Sequence, residues 1–350
     1  MPHRPARSAR ARSVGVPLVR GGALTALLAV GLLLVGLSAA SAAPAATRTT
    51  ATRTTATRTT AAGKAVKVAP SGRHRRPVYY VALGDSLSQG VQPATPPLPP
   101  GVTLGQSIET DAGYADDLYA HYQREFGGAL RLVKLGCPGE TTTSMLTGAG
   151  SPCTYPQGSQ LAAALAFIAA HRSEVRLITI DIGANDVDGC ATATTINQAC
   201  IMQGFAATEH DLPLILGALR KAAGPRTVIA GMNLYDPFLS DYLTGSAGQA
   251  LATESVSLNQ AFNQLLGLGY QAFGVRTADV MDAFSTTDFT DTVPLPGVGT
   301  VPLNVARICE WTWMCAPAPV GPNIHANAIG YQQIAAAFEQ AIGRFGRRGR

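Results

Sequence analysis

Between residues 78 and 342, short apolar-rich runs alternate with longer segments whose apolar positions recur every three or four residues. The runs cover 78–83, 130–135, 175–182 and 227–232, with a shorter one at 272–275. They lack a strict apolar–polar alternation, which predicts strands buried on both faces. Helical spacing falls at 114–126, 160–170, 205–223, 248–266 and 326–342. Pro213 predicts a break or kink inside the third of these helices. Strand and helix in turn imply parallel strands joined by right-handed crossovers, hence a three-layer α/β/α sandwich. Two stretches exceed plain connections: 90–112, rich in Pro, and 283–325. Long ordered loops in compact domains are usually functional.

The chain before residue 78 follows another pattern. Arg4, Arg7, Arg10, Arg12 and Arg20 precede an uncharged, Leu-rich run at 23–37, and the small residues Ala40, Ser41 and Ala42 follow it. This order predicts a signal peptide over 1–42, cleaved after Ala42, and a secreted protein. An uncleaved anchor is the competing reading, because 23–43 is just long enough to span a bilayer. A TRTTA repeat starts at Thr47 and recurs at 52–56 and 57–61, and basic residues continue to Arg76. Nothing in 43–77 can bury a core, so it reads as a basic Thr/Arg-rich linker. Its charge serves a solvated spacer or a weak contact with an anionic cell envelope. Residues 344–350 form a basic tail, which leaves 78–343 as the folded domain.

Composition sharpens this division. Of 350 residues, 46% are hydrophobic and 14% charged, too apolar for a disordered chain. The formal net charge of +5 hides an asymmetry. Both ends are basic, whereas 78–343 holds 10 basic and 22 acidic groups, a net of −12. Such a body lacks the basic face that nucleic acid requires, so no nucleic-acid partner is expected. Six Cys, an even number behind an export leader, predict disulfides. They fall as three local pairs along the chain, which favours Cys137–Cys153, Cys190–Cys200 and Cys309–Cys315 over the other pairings. None forms a C-x-x-C, and no metal site is expected.

The candidate chemistry sits at predicted strand ends, where open α/β sheets bind ligands. The first strand ends in Gly84-Asp85-Ser86-Leu87, which puts a hydroxyl at that rim. Position 88 is Ser, so this is not a G-x-S-x-G elbow. The second strand leads to Gly139, whose bare backbone lets an N–H approach a ligand closely. The third ends in Gly183-Ala184-Asn185-Asp186, offering a side-chain amide. His325 stands before the last helix. A Ser, two hydrogen-bond donors and a His are the parts needed for acyl transfer. Each has a bland alternative: Ser86 and Asn185 as turn formers, Gly139 as a tight turn beside Cys137, His325 as a helix-start residue. Trp311 and Trp313 either line an acyl pocket or pack beneath the loop that carries His325.

Taken together, the four blocks resemble the SGNH hydrolases, also called GDSL esterases/lipases, and most of all their exported bacterial lipases. The resemblance spans roughly 78–342 and implies a flavodoxin-like sandwich with a parallel sheet of about five strands. It implies a carboxylic ester hydrolase with Ser86 as nucleophile and His325 as general base. The Ser86 and Gly139 N–H groups and the Asn185 side chain would form the oxyanion hole. The substrate would be a small-molecule or lipid ester, the cofactor none and the protein a monomer. One position departs from the family. Where it usually has Asp, three residues before the His, this chain has Pro322. A proline still has a backbone carbonyl, so a Ser86–His325 dyad oriented by the Pro322 carbonyl is expected, with Glu310 or a more distant Asp as rival. Other readings are a polysaccharide or cell-wall acetylesterase, a phospholipase, and a non-catalytic wall-binding protein, against which the intact blocks weigh.

Overall fold

The computed structural model describes residues 76–344. The leader, the repeats and the tail beyond Arg344 lie outside them. In chain order the strands are β1 (Val78–Gly84), β2 (Gln92–Pro93), β3 (Ser107–Ile108), β4 (Leu130–Lys134), β5 (Val175–Asp181), β6 (Val228–Met232), β7 (Arg276–Ala278), β8 (Thr292–Leu295), β9 (Gly299–Pro302), β10 (Thr312–Trp313) and β11 (Asn323–Ala326). The helices are α1 (Tyr114–Glu125), α2 (Thr142–Thr147), α3 (Gln160–Ala170), α4 (Ala184–Val187), α5 (Gln198–Ala222), α6 (Ser246–Ala272), α7 (Val280–Ala283), α8 (Leu303–Trp311) and α9 (Ala328–Ile342).

Five strands form a parallel sheet in the order β4-β1-β5-β6-β7. Helices cover both faces: α1 packs with α9, and α5 lies against α2, α3 and α6. The apolar runs explain this burial. Tyr80, Val81, Leu83, Leu177, Ile178 and Ile180 are fully buried, as a strand between two helical layers requires. On the α1 side, Tyr114 stacks on Phe338 with ring centroids 4.8 Å apart. The chain leaves β1 toward β4 and returns past it to β5, so the sheet reverses its winding between β1 and β5. Ligands bind at the carboxyl ends of strands at such a point. Register makes the two ends level, with Gly84 opposite Asp181.

Several predicted boundaries move. α5 begins at Gln198 rather than at 205, because Asn197 caps it through Cys200 N at 3.1 Å. Pro213 lies within a continuous helix. α6 runs to Ala272, and Gly274, at φ +60, precedes a last sheet strand at Arg276–Ala278 rather than at 272–275. α9 starts two residues late, because Ala326 belongs to β11 and the Asn327 side chain caps Ile329 N and Gly330 N. All three local Cys pairs are bonded. Among the described residues no helix is long and apolar enough to cross a membrane.

The two long stretches are ordered and meet. β2 and β3 form a small ribbon in the first; β8, β9, α8 and β10 occupy the second. Asn323 Nδ2 donates to Ser107 Oγ at 3.1 Å, and Trp313 Nε1 to Gln92 Oε1 at 3.4 Å. A Cβ on Gly105 would run into the Pro319 carbonyl, so glycine permits that close approach.

Candidate active site

The level ends of β1 and β5 bring the residues after them to one rim. Gly84 closes β1 at φ +127, where a Cβ would collide with the Asp181 carbonyl. The turn that follows carries Ser86, whose carbonyl accepts from Gln89 N at 3.2 Å and Val91 N at 3.1 Å. Asp181 anchors the turn from below. Its Oδ2 accepts from Ser88 N at 3.1 Å, its Oδ1 from the Tyr114 hydroxyl at 2.5 Å, and its carbonyl from Asp85 N at 3.0 Å. Burial, reinforced by the neighbouring Asp85, pushes the Asp181 carboxyl well above the usual carboxylate range. Burial likewise pushes Asp85 up to about 6.

Gln160 at the start of α3 serves Gly84 as a strand partner would. Its Oε1 accepts from Gly84 N at 2.7 Å, and its Nε2 donates to Gly84 O at 2.8 Å and to Glu140 Oε2 at 3.2 Å. Glu140, fully buried, also accepts from Ser151 Oγ at 3.1 Å. These bonds tie the Ser86 turn to the Gly139 loop. Gly139 adopts φ +84, a conformation that favours glycine. Neither the Ser86 N–H nor the Gly139 N–H has an acceptor among the described residues. Asn185 lies on α4, which is pinned by Asp186: its carboxylate accepts from Thr142 N at 2.9 Å and Thr142 Oγ1 at 2.7 Å. Asn185 Nδ2 donates to Glu140 O at 3.0 Å and, more loosely, to Asp85 Oδ2 at 3.3 Å.

His325 comes from the far end of the chain, on β11. Its Nδ1 lies 2.6 Å from Asn323 Oδ1, which also accepts from His325 N at 3.1 Å. The bond from Asn323 Nδ2 to Ser107 turns the amide so that its oxygen faces the ring. An amide oxygen only accepts, so Nδ1 carries the proton and Nε2 keeps a free lone pair. Burial pushes the imidazole down to about 4, which keeps it neutral at ordinary pH. The Tyr235 hydroxyl holds the strand by donating to Ile324 O at 2.7 Å.

The expected orienter of His325 is therefore corrected. No hydrogen bond joins the Pro322 carbonyl to the ring; the Asn323 side chain, two residues before the His, occupies Nδ1. Short Asn side chains make such local bonds readily. Glu310 is exposed, its carboxylate makes no hydrogen bond or ion pair among the described residues, and its backbone carbonyl accepts from Asn327 Nδ2 at 2.7 Å.

Ser86, Asn185 and His325 line one cavity, whose wall is largely apolar and includes Val187, Ile201, Phe205, Leu234 and Phe262. Gly139 stands at the rim and not in this lining. The Ser86 hydroxyl is 8% exposed for its residue and has only a long contact, 3.5 Å, to Asp85 Oδ1. No hydrogen bond joins it to His325; such bonds often tighten only with substrate in place. Trp311 packs edge-on against Phe284 at 5.1 Å. Neither Trp311 nor Trp313 lines this cavity; Trp311 packs on Phe284 and Arg307, and Trp313 bonds to Gln92. The arrangement offers a hydroxyl, a neutral imidazole and an unengaged N–H group at one cavity, with a second unengaged N–H on the neighbouring Gly139 loop. Asp181, Gln160, Glu140 and Asn323 carry this geometry, and no motif singled them out. Asn323 alone left a signal, as an Asn two residues before a His at a strand–helix junction.

Comparison with known proteins identifies the family. The GDSL-like Lipase/Acylhydrolase family matches residues 82–333. An extracellular lipase from Streptomyces rimosus is 20% identical, covering 75% of this chain and 99% of its own, with a TM-score of 0.46. A phospholipase A1 from Streptomyces albidoflavus is 19% identical, covering 76% and 99%, with a TM-score of 0.46. An acetylxylan esterase from Geobacillus stearothermophilus is 14% identical, covering 78% and 98%, with a TM-score of 0.45. Among curated proteins, no match is found. The chain belongs to the GDSL-like lipase/acylhydrolase family and is a carboxylic ester hydrolase.

Proposed function

We propose that this family member is an exported serine esterase or lipase that works through an acyl-enzyme. Ser86 Oγ attacks the ester carbonyl carbon while His325 Nε2 takes its proton. The C–O bond then breaks, and the alcohol leaves with the proton from His325. Water repeats the sequence on the acyl-enzyme, giving the free acid and restoring Ser86. The Ser86 and Gly139 N–H groups and the Asn185 amide face the oxygen on which charge develops. Asn185 reaches that oxygen by giving up its looser bond, the 3.3 Å contact with Asp85. Asn323 keeps the imidazole in the required tautomer.

The observation that carries the reading is the shared cavity of Ser86, Asn185 and His325 at the sheet's switch point. Its apolar wall favours acyl chains longer than acetyl. The export leader over 1–42, the linker over 43–77, the domain over 78–343 and the basic tail complete the proposal, and three disulfides suit an oxidising compartment. The test is hydrolysis of p-nitrophenyl esters of increasing acyl length by wild type and Ser86→Ala, with and without a chelator. The expected result is metal-independent activity, highest on medium chains and absent in the variant. Undiminished hydrolysis by Ser86→Ala would remove the serine mechanism. Secreted protein should begin at Ala43.

A further inference from the structure

One ionisable side chain in the cavity has no part in acyl transfer. Asp188 begins a 3₁₀ turn, Asp188–Cys190, that Cys190–Cys200 ties to α5. Its carboxyl lines the cavity, half-buried, and makes no hydrogen bond or ion pair with any described residue. Its acidic neighbours differ. Asp85 accepts from Leu87 N and Asn185, Asp186 from Thr142, and Asp236 from Phe238 N and Ser255 Oγ. Asp188 alone keeps its polar atoms for the cavity.

The titratable groups that face it are Asp85 from the end of β1, Asp186 from α4, and Tyr235 and Asp236 after β6. His325 lines the same cavity, α5 and α6 present only uncharged side chains there, and no Lys or Arg is in the lining. Burial and the three neighbouring acids push Asp188 up to about 8. At neutral pH it is thus an uncharged acid with one donor and free acceptor capacity. A plain hydrocarbon chain laid over it would leave those groups unpartnered, at a cost to binding. A chain ending in carboxylate would meet the three acids of the lining, Asp85, Asp188 and Asp236. A hydroxyl satisfies both donor and acceptor.

We propose that Asp188 is a specificity-determining residue that reads a hydroxyl on the acyl chain, so that the cavity selects hydroxylated acyl esters over plain ones. This rests on the reading of the cavity as the acyl site. The test compares wild type, Asp188→Asn and Asp188→Leu on ethyl esters of paired plain and ω-hydroxy acids of increasing length, followed by acid release. At one chain length wild type should favour the hydroxylated ester about tenfold in kcat/KM, the size of one net hydrogen bond, mainly through KM. Asn offers a donor and an acceptor and should keep the preference within a few-fold; Leu should reverse it. Above pH 8 the wild type should lose plain chains faster than hydroxylated ones, and Asp188→Asn should not. An equal ratio in all three proteins, or a wild-type preference for plain chains at every length, would overturn the proposal. Should Asp188→Leu fail to fold, the wild-type ratio and the pH comparison with Asp188→Asn still decide. Hydrolysis that survives Ser86→Ala would instead defeat the acyl-enzyme reading itself.

Discussion

The two halves of the candidate site are built by different means. The rim of β1, β4 and β5 holds Ser86, Gly139 and Asn185 through buried, interlocking bonds: Asp181 to the Ser86 turn, Gln160 to Gly84, Glu140 to both Gln160 and Asn185. The other half is one imidazole on a two-stranded ribbon, aimed by a single amide and steadied by Ser107 and Tyr235. In the proposed mechanism the first half would fix where charge is stabilised, because sheet ends set backbone positions. In the same proposal the second half would fix when the nucleophile is activated, through side-chain contacts between the two long loops. Damage should therefore read out differently. Losses at the rim should appear in transition-state stabilisation, losses at the ribbon in proton transfer.

The comparison breaks most severely at the base. His325→Ala should lower kcat by about 10⁴–10⁶, the range found when a triad member is removed. Reaction of Ser86 with an organophosphate should slow in parallel, and circular dichroism should stay unchanged, because the ribbon is not in the sheet. A variant retaining most turnover would mean that another group takes the proton.

At the rim, Asn185→Ala should lower kcat by about 10²–10³ with KM within a few-fold, as expected for one oxyanion donor. A change confined to KM would make Asn185 a substrate contact instead. Because its amide also donates to Glu140 O, Asn185→Asp supplies a control. It keeps the size but offers an acceptor where a donor is needed, so it should be no better than Ala.

The ribbon half has its own intermediate test. Asn323→Ala should lower kcat by about 10–100-fold, less than loss of a charged orienter, since only tautomer and aim are lost. Asn323→Asp moves the pH profile. With His325 pushed down to about 4, the acid limb of kcat/KM should lie near pH 4, because protonation below that value removes the base. A carboxylate beside Nδ1 favours the imidazolium and should shift that limb upward. An unmoved limb would show that His325 does not titrate in the step observed.

The same division explains what the chain reveals before folding. The rim motifs were legible because each strand ends in a short, local signature, Gly84-Asp85-Ser86 or Gly183-Ala184-Asn185-Asp186. The sheet was legible because strands buried on both faces read as apolar runs. Gln160 and Glu140 were not, since a buried amide pairing with Gly84 from 76 residues away leaves no local pattern. The partner of the His325 ring is Asn323 rather than Pro322, because backbone and side-chain acceptors compete within three residues and the ribbon geometry decides between them. The strand expected at 272–275 failed because α6 keeps its helical spacing through Ala272. Asp188 was overlooked because an acid two positions beyond Asp186 looks like a solvated turn until the cavity wall is known.

The smallest effect should come from the wall that neither half contains. Cys190–Cys200 joins the Asp188 turn to the first turn of α5, and Ile201 and Phe205 of that helix line the cavity. The bond spans 10 residues. Closing a loop of that size stabilises by about 2–3 kcal/mol. The double variant Cys190→Ser/Cys200→Ser should lower thermal stability by that order while leaving the rim and ribbon bonds in place. Hydrolysis of acetyl esters, which need little of the wall, should then stay within about twofold, a difference of a few tenths of a kcal/mol in barrier. Medium-chain esters should show a raised KM of a few-fold, because a loosened wall covers less of the chain. Equal losses on short and medium chains would place the disulfide's influence on the catalytic groups themselves. The separation between rim and wall would then fail, since Asn185 and Asp186 lie only one helical turn before Asp188.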